Sequence, residues 1–225
     1  MKQQKTTALA LMLRAPQIGK IKTRLATKLG EKNTLQLYKY MVEDIYEQIA
    51  YTQADLILSV EPADQIMLVK NWLQPAHAQE QIQGDLGEKM HHCIDILLTK
   101  GWANVIVIGS DIPSLSKKIL NQAIEMLEDN CVDTIIGPAG DGGYYLIGFN
   151  QQSYNKSIFE SIDWGSPNVY NQTMTKLDGL ANQTGILPTL NDIDTFEDLK
   201  NIKEECIQYN SGERTLSYLK KLKIF

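Results

Sequence analysis

The sequence predicts an α/β fold, a mainly parallel sheet flanked by helices on both faces. Three observations predict it. Short, uncharged runs alternate along the chain with longer segments of helical periodicity. Those runs are mostly apolar, as strands buried on both faces require. The chain has 225 residues, 43% of them hydrophobic, enough for a substantial core. Residues 1–225 read as one domain, without internal repeat, low-complexity tract or linker.

The elements follow in order. Thr7 to Leu13 is a first core strand; the run is too short, and Arg14 ends it too soon, for a signal peptide. Asn33 to Ala50 is a helix capped by Asn33, with Leu37, Met41, Ile45 and Ile49 forming its apolar stripe. Asp55 to Val60 is a strand, Gln65 to Leu73 a helix, and Leu86 to Lys100 a helix closed by Gly101. Asn104 to Ile108 is the clearest strand: short, β-branched and uncharged. A helix over Ser116 to Asp129 and strands over Asp133 to Ile136 and Tyr144 to Phe149 come next. Helices over Ser166 to Leu180, Thr195 to Gln208 and Glu213 to Leu222 complete the chain.

Composition narrows the function classes. The net charge of -5 gives no overall positive field to recruit nucleic acid or an anionic membrane. No stretch is long and apolar enough to span a bilayer. Cys93, Cys131 and Cys206 are odd in number and widely spaced, which argues against a disulfide framework and a zinc site. His77, His91 and His92 have no metal-ligand spacing and no partnering nucleophile. A cytoplasmic protein is expected. No G-x-S-x-G or G-x-G-x-x-G is present, which removes support for hydrolase and dehydrogenase readings.

In parallel sheets ligands bind at the carboxyl ends of strands, so the motifs there carry the chemistry. After the first strand, Arg14, Ala15, Gly19, Lys20, Lys22, Arg24 and Lys28 form a basic loop with no acidic residue before Glu31. Such crowding suits a phosphate guest, though a solvated basic patch reads equally from the residues alone. After Asn104 to Ile108 comes Gly109-Ser110-Asp111-Ile112-Pro113. Asp111 there is either a ligand for a hard divalent cation or a bonding partner of its own turn. In Gly137-Pro138-Ala139-Gly140-Asp141-Gly142-Gly143, Asp141 orients an acceptor hydroxyl as a base, or serves a tight turn. Asp194, in Asn191-Asp192-Ile193-Asp194-Thr195, is a second metal carboxylate or a helix cap. Asp85 and Gly87, in Gly84-Asp85-Leu86-Gly87-Glu88-Lys89-Met90, contact base or ribose, or Asp85 caps the following helix.

These motifs together resemble the DUF2064 proteins, bacterial members of the GT-A, or nucleotide-diphospho-sugar transferase, superfamily. The resemblance rests on the order R-A-P-x-x-G-K-x-K-T-R-L, G-D-L-G-E-K-M, I-G-S-D-I-P-S-L, G-P-A-G-D-G-G-Y-Y-L-I-G, D-W-G-S and D-I-D-T, from Leu9 to Leu199. It departs at Gly140, where relatives often carry an acidic or polar residue, and in lacking a Gly-Gly-rich loop after the first strand. The resemblance implies a GT-A domain and a divalent metal (Mg or Mn) on Asp111 and Asp194. It also implies nucleotide contacts from Arg14, Ala15, Gly19, Lys20, Lys22, Arg24, Asp85, Gly87 and Ser110. The expected activity is glycosyl transfer from a nucleotide sugar to a small-molecule acceptor, with Asp141 at the acceptor. Two alternatives stand. One is nucleotidyl transfer from an NTP, since the K-x-R-L loop also resembles that of 2-phospholactate guanylyltransferase; the other is a non-catalytic nucleotide-binding domain.

Overall fold

The computed structural model describes residues 6–74 and 77–225. A seven-stranded sheet organises them, in the order β3-β2-β1-β4-β6-β5-β7. The strands are β1 (Thr7–Arg14), β2 (Asp55–Glu61), β3 (His77–Glu80), β4 (Asn104–Ile108), β5 (Thr134–Pro138), β6 (Tyr144–Asn150) and β7 (Thr184–Ile186). All neighbours pair in parallel except β6, which runs antiparallel between β4 and β5. That reversal follows from its connection: β6 returns from β5 through the glycine-rich turn at 139–143, too short for a crossover helix.

Alternation along β1 sends Leu9, Leu11 and Leu13 to one face and Ala8 and Ala10 to the other, and all five are buried. The first face is covered by α2 (Glu31–Ala50) through Tyr38, Val42, Ile45 and Ile49, and by α5 (Lys117–Glu128). The second is covered by α4 (Leu86–Thr99) and α6 (Val169–Gly179). A third cluster joins α1 (Thr23–Leu29), α7 (Ile202–Tyr209) and α8 (Glu213–Lys221) to α2 through Leu25, Met41, Cys206 and Leu219. The short α3 (Ile66–Trp72) packs beside β2 and β3. Among the described residues, no helix is long and apolar enough to cross a membrane.

The expected helix over Thr195 to Gln208 is corrected. Asp198 accepts the backbone N–H groups of Asp194 (2.9 Å) and Thr195 (2.6 Å), which folds the segment into a turn. A 3₁₀ turn at Asp198–Lys200 follows, and α7 begins only at Ile202. Asn33 is likewise not a cap. The helix starts at Glu31, after Gly30 at φ 76°, and the Asn33 amide donates to the Leu29 carbonyl at 3.0 Å. The basic loop is helical from Thr23, and the edge strands β3 and β7 were not anticipated.

Candidate functional site

The carboxyl ends of β1 and β4 lie side by side, because these strands pair directly. Tyr38, on α2, fixes the first of them. Its hydroxyl donates to the Arg14 carbonyl at 2.8 Å and accepts the Arg14 N–H at 3.0 Å. Beyond this pin the chain turns through Gly19 (φ 72°), whose Cα faces the Glu31 carboxylate. It then enters α1 through Lys22, a left-handed residue at φ 46°, ψ 53°. That conformation strains a residue carrying a Cβ.

At the second end, the Asp111 carbonyl accepts the Ile193 N–H at 3.1 Å. Ala139 bridges Leu190, so segment 188–193 runs alongside the loop leaving β5. These bonds bring Asp194 across to Asp111. Lys22 Nζ lies between them, 2.7 Å from Asp111 Oδ2 and 3.1 Å from Asp194 Oδ1. Arg24 reaches the other Asp194 oxygen at 3.4 Å, and Ser110 Oγ donates to Asp111 Oδ1 at 3.3 Å. Burial is inverted from the usual order: the Lys22 side chain is 7% exposed, and Asp111 and Asp194 are 39% and 42% exposed. Burial by itself would lower the Lys22 ammonium, but Asp111 and then Asp194 outweigh it and hold it above its ordinary value. Asp192, beside this cluster, is pushed up to about 6 by burial and then by Asp141, against the pull of Lys22.

Lys22, Arg24, Ser110, Asp111 and Asp194 line one cleft of about 690 Å³, a volume typical of small-molecule sites. Its floor includes Met12, Val107 and Met90. Its wall carries a second ion cluster, in which Glu61 accepts from Lys89 at 2.9 Å and pairs with Arg14 at 3.4 Å. Burial opposes the Glu61 charge, but Lys89 and Arg14 outweigh it and keep the carboxyl below its usual range.

Of the residues expected from sequence, Arg14, Lys20, Lys22, Arg24, Ser110, Asp111 and Asp194 line this cleft. Ala15 is buried, its N–H donating to the Glu61 carbonyl at 2.7 Å. Asp85 and Glu88 form a reciprocal capping box at the start of α4. Gly87 lies under Trp164, where a Cβ would come within 2.7 Å of the indole. Asp141 is exposed, and its Oδ1 accepts the Gly143 N–H at 2.8 Å. Gly140 abuts Asn191, since a Cβ there would lie 2.1 Å from Asn191 Oδ1.

Sequence reasoning missed Lys89, Glu61, Tyr38 and Asp192. Lys89 carried a signal: a cation in the first turn of a helix opposes the macrodipole, so it needs another reason to be there. Glu61 ends β2 in register with Arg14 at the end of β1.

Among the described residues, no group of three or more His, Cys, Asp or Glu side chains could by itself hold a metal ion. Asp111 and Asp194 offer two oxygens around one point already favourable to positive charge. Magnesium commonly takes this few protein carboxylates and completes its shell with substrate phosphate and water, so the donor set fits.

Residues 45–166 match the family model described as an uncharacterized protein conserved in bacteria, DUF2064. A candidate nucleotide-diphospho-sugar transferase from Desulfovibrio desulfuricans G20 is 32% identical, with a TM-score of 0.90 over 97% of this chain and 95% of that one. The CTP complex of CMP:2-keto-3-deoxy-manno-octonic acid synthetase is 10% identical, with a TM-score of 0.56 over 91% of this chain and 99% of that one. The manganese complex of Rv0371C from Mycobacterium tuberculosis H37Rv is 13% identical, with a TM-score of 0.53 over 89% and 99% of the two chains. These last two likenesses concern the fold alone. The family match and the 32%-identical structure agree: the chain belongs to the DUF2064 family and has the nucleotide-diphospho-sugar transferase fold.

Proposed function

We infer that this protein, acting as one domain, is a glycosyltransferase that takes a nucleotide-diphospho-sugar donor and a small-molecule acceptor. The observation that carries this reading is the meeting of Asp111 and Asp194 around one cationic point in a cleft rimmed by Arg14, Lys20 and Arg24. Two carboxylates and several fixed cations together suit a metal-chelated diphosphate better than a bare anion. A divalent ion, magnesium or manganese, would be held by Asp111 and Asp194 and would stabilise the negative charge of the leaving nucleoside diphosphate.

The chain's own residues do the rest. Arg14, Lys20 and Arg24 draw in the phosphates and hold them in register, while the apolar floor around Met12 and Met90 excludes water beneath the nucleoside. Lys22 and Arg24 add positive charge where the departing phosphate gains negative charge. Asp141, exposed at the turn after β5, orients the acceptor hydroxyl and takes its proton.

The CTP-bound neighbour supports a second reading, nucleotidyl transfer, in which a substrate phosphate attacks an NTP. Products separate the two. The assay incubates the protein with magnesium or manganese, nucleotide sugars or NTPs, and sugar, alcohol and sugar-phosphate acceptors. Release of a nucleoside diphosphate supports glycosyl transfer. Pyrophosphate release replaces that reading with the second, and nucleotide binding without turnover across the panel rejects both.

A further inference from the structure

We propose that Lys22 is a resident counter-ion that competes for the metal-binding carboxylates and hands them over readily only when a donor diphosphate is present to receive its ammonium. The inference deepens the function above and rests on Asp111 and Asp194 being metal ligands. Its basis is the inverted burial of the cluster. The ammonium is almost fully enclosed, 2.7 Å and 3.1 Å from its two partners, while both carboxylates open onto the cleft. A divalent ion approaching from the cleft therefore meets two carboxylate oxygens already directed at Lys22.

Lys22 and the outlying Arg24 balance the two carboxylates, but a divalent ion would set two charges at the point between them, so the cluster keeps an attraction for a cation of higher charge. The ammonium and a divalent ion cannot share the same oxygens at such distances, because like charges repel strongly where water is sparse. Lys22 must then leave. The groups around it in the cleft, Lys20, Arg24, Arg14 and Lys89, are all positive or already paired. The nearby carboxylates are engaged or lie outside the cleft lining: Glu61 already pairs with Lys89 and Arg14, and Asp192 is not among the groups that line the cleft, so a displaced ammonium needs another anion. A donor diphosphate among these cations would be one. The chain has the freedom for the transfer: Lys22 precedes the first turn of α1, three residues after Gly19. Lys22 thus couples metal binding to donor binding, and it weakens the hold of the carboxylates on free metal when no donor is present.

The test measures Mn²⁺ binding without nucleotide, by the electron-spin-resonance signal of free Mn²⁺, in the wild type, Lys22→Met and Asp111→Asn. Lys22→Met is expected to bind Mn²⁺ at least about tenfold more tightly than the wild type, since it removes the competing charge. A second measurement needs no variant. Acetylation of the wild-type protein by N-hydroxysuccinimide acetate, read by peptide mass spectrometry, should be slow at Lys22 in the free protein. It should become fast only when Mg²⁺ alone is raised high enough to force the ammonium out, and slow again when a mixture of ADP, GDP, CDP and UDP is added to that Mg²⁺. Mn²⁺ affinity in folded Lys22→Met equal to or below that of the wild type overturns the exchange. So does a Lys22 acetylation rate that Mg²⁺ leaves unmoved, or one that the nucleotides fail to slow. Unchanged Mn²⁺ affinity in Asp111→Asn overturns the metal assignment itself, whatever Lys22→Met does.

Discussion

Two ion clusters in this molecule use the same residue types in opposite ways. Where α2 meets α8, Asp44 is the buried member at 3% exposure, and its partner Arg214 is 41% exposed. The Asp44 carboxylate accepts the backbone N–H groups of Arg214 (3.0 Å) and Thr215 (2.9 Å), so it caps α8 from another helix. Arg214 also pairs with Glu47. In the cleft the order reverses: Lys22 is buried, and Asp111 and Asp194 face outward. A carboxylate whose oxygens are occupied by backbone donors belongs to the fold. One held by side chains alone and open to a cleft is available to a ligand. Chemical type alone does not separate these cases; burial order and the kind of donor do.

Breaking the structural cluster should have the largest effect on stability. Asp44→Ala removes the cap of α8 and leaves buried donors unpaired, and should cost about 3 kcal/mol. Urea unfolding would read this as a lower midpoint, with nucleotide affinity per folded molecule unchanged; an unshifted midpoint contradicts the assignment. Asp111→Asn should do the opposite, shifting stability by less than about 1 kcal/mol. A thermal-shift assay should show it losing the extra stabilisation that magnesium adds to nucleotide binding. If magnesium dependence survives, Asp111 is not a metal ligand.

Neutralising Lys22 and Arg24 together, as Lys22→Gln with Arg24→Gln, should weaken nucleoside diphosphate binding about thirtyfold at low salt and less at high salt. An equal loss for the bare nucleoside would show that these cations do not read phosphate. The smallest effect concerns Glu61, which lies between the two extremes at 24% exposure beside Lys89 at 13%. Its carboxyl is held below the ordinary value of 4.5. The stability it contributes is therefore present above that pH and lost as pH falls through its lower folded value. Glu61→Gln should flatten this part of the acid limb, and a limb identical to that of the wild type rejects the assignment.

The long, strongly periodic elements were legible in the sequence because each buries a regular stripe. The stripe through Leu37, Met41, Ile45 and Ile49 is buried throughout. Short edge strands were not: β7 has three residues and β3 four, too few to show alternation. Helix α1 was hidden by its own charges, with Leu25 its only buried residue. In the site, the sequence drew attention to both carboxylates and to the basic loop, but read Lys22 with the loop's other cations. Its pairing with Asp194, 172 positions away, depends on the turn that Asp198 makes and on the Asp111–Ile193 bond. Neither leaves a local pattern. The antiparallel β6 was hidden for a related reason: a buried strand is apolar on both faces whichever way it runs.

The contact between Gly140 and Asn191 restricts how the loop between β5 and β6 can be altered. Asn191 is anchored by Glu205, which accepts its backbone N–H at 3.1 Å and its side-chain amide at 2.6 Å. Its oxygen fills the space that any side chain at position 140 would need. The two positions therefore behave as one choice. A side chain at 140 alone would have to displace the Asn191 amide from Glu205, whereas varying 140 and 191 as a pair avoids that cost.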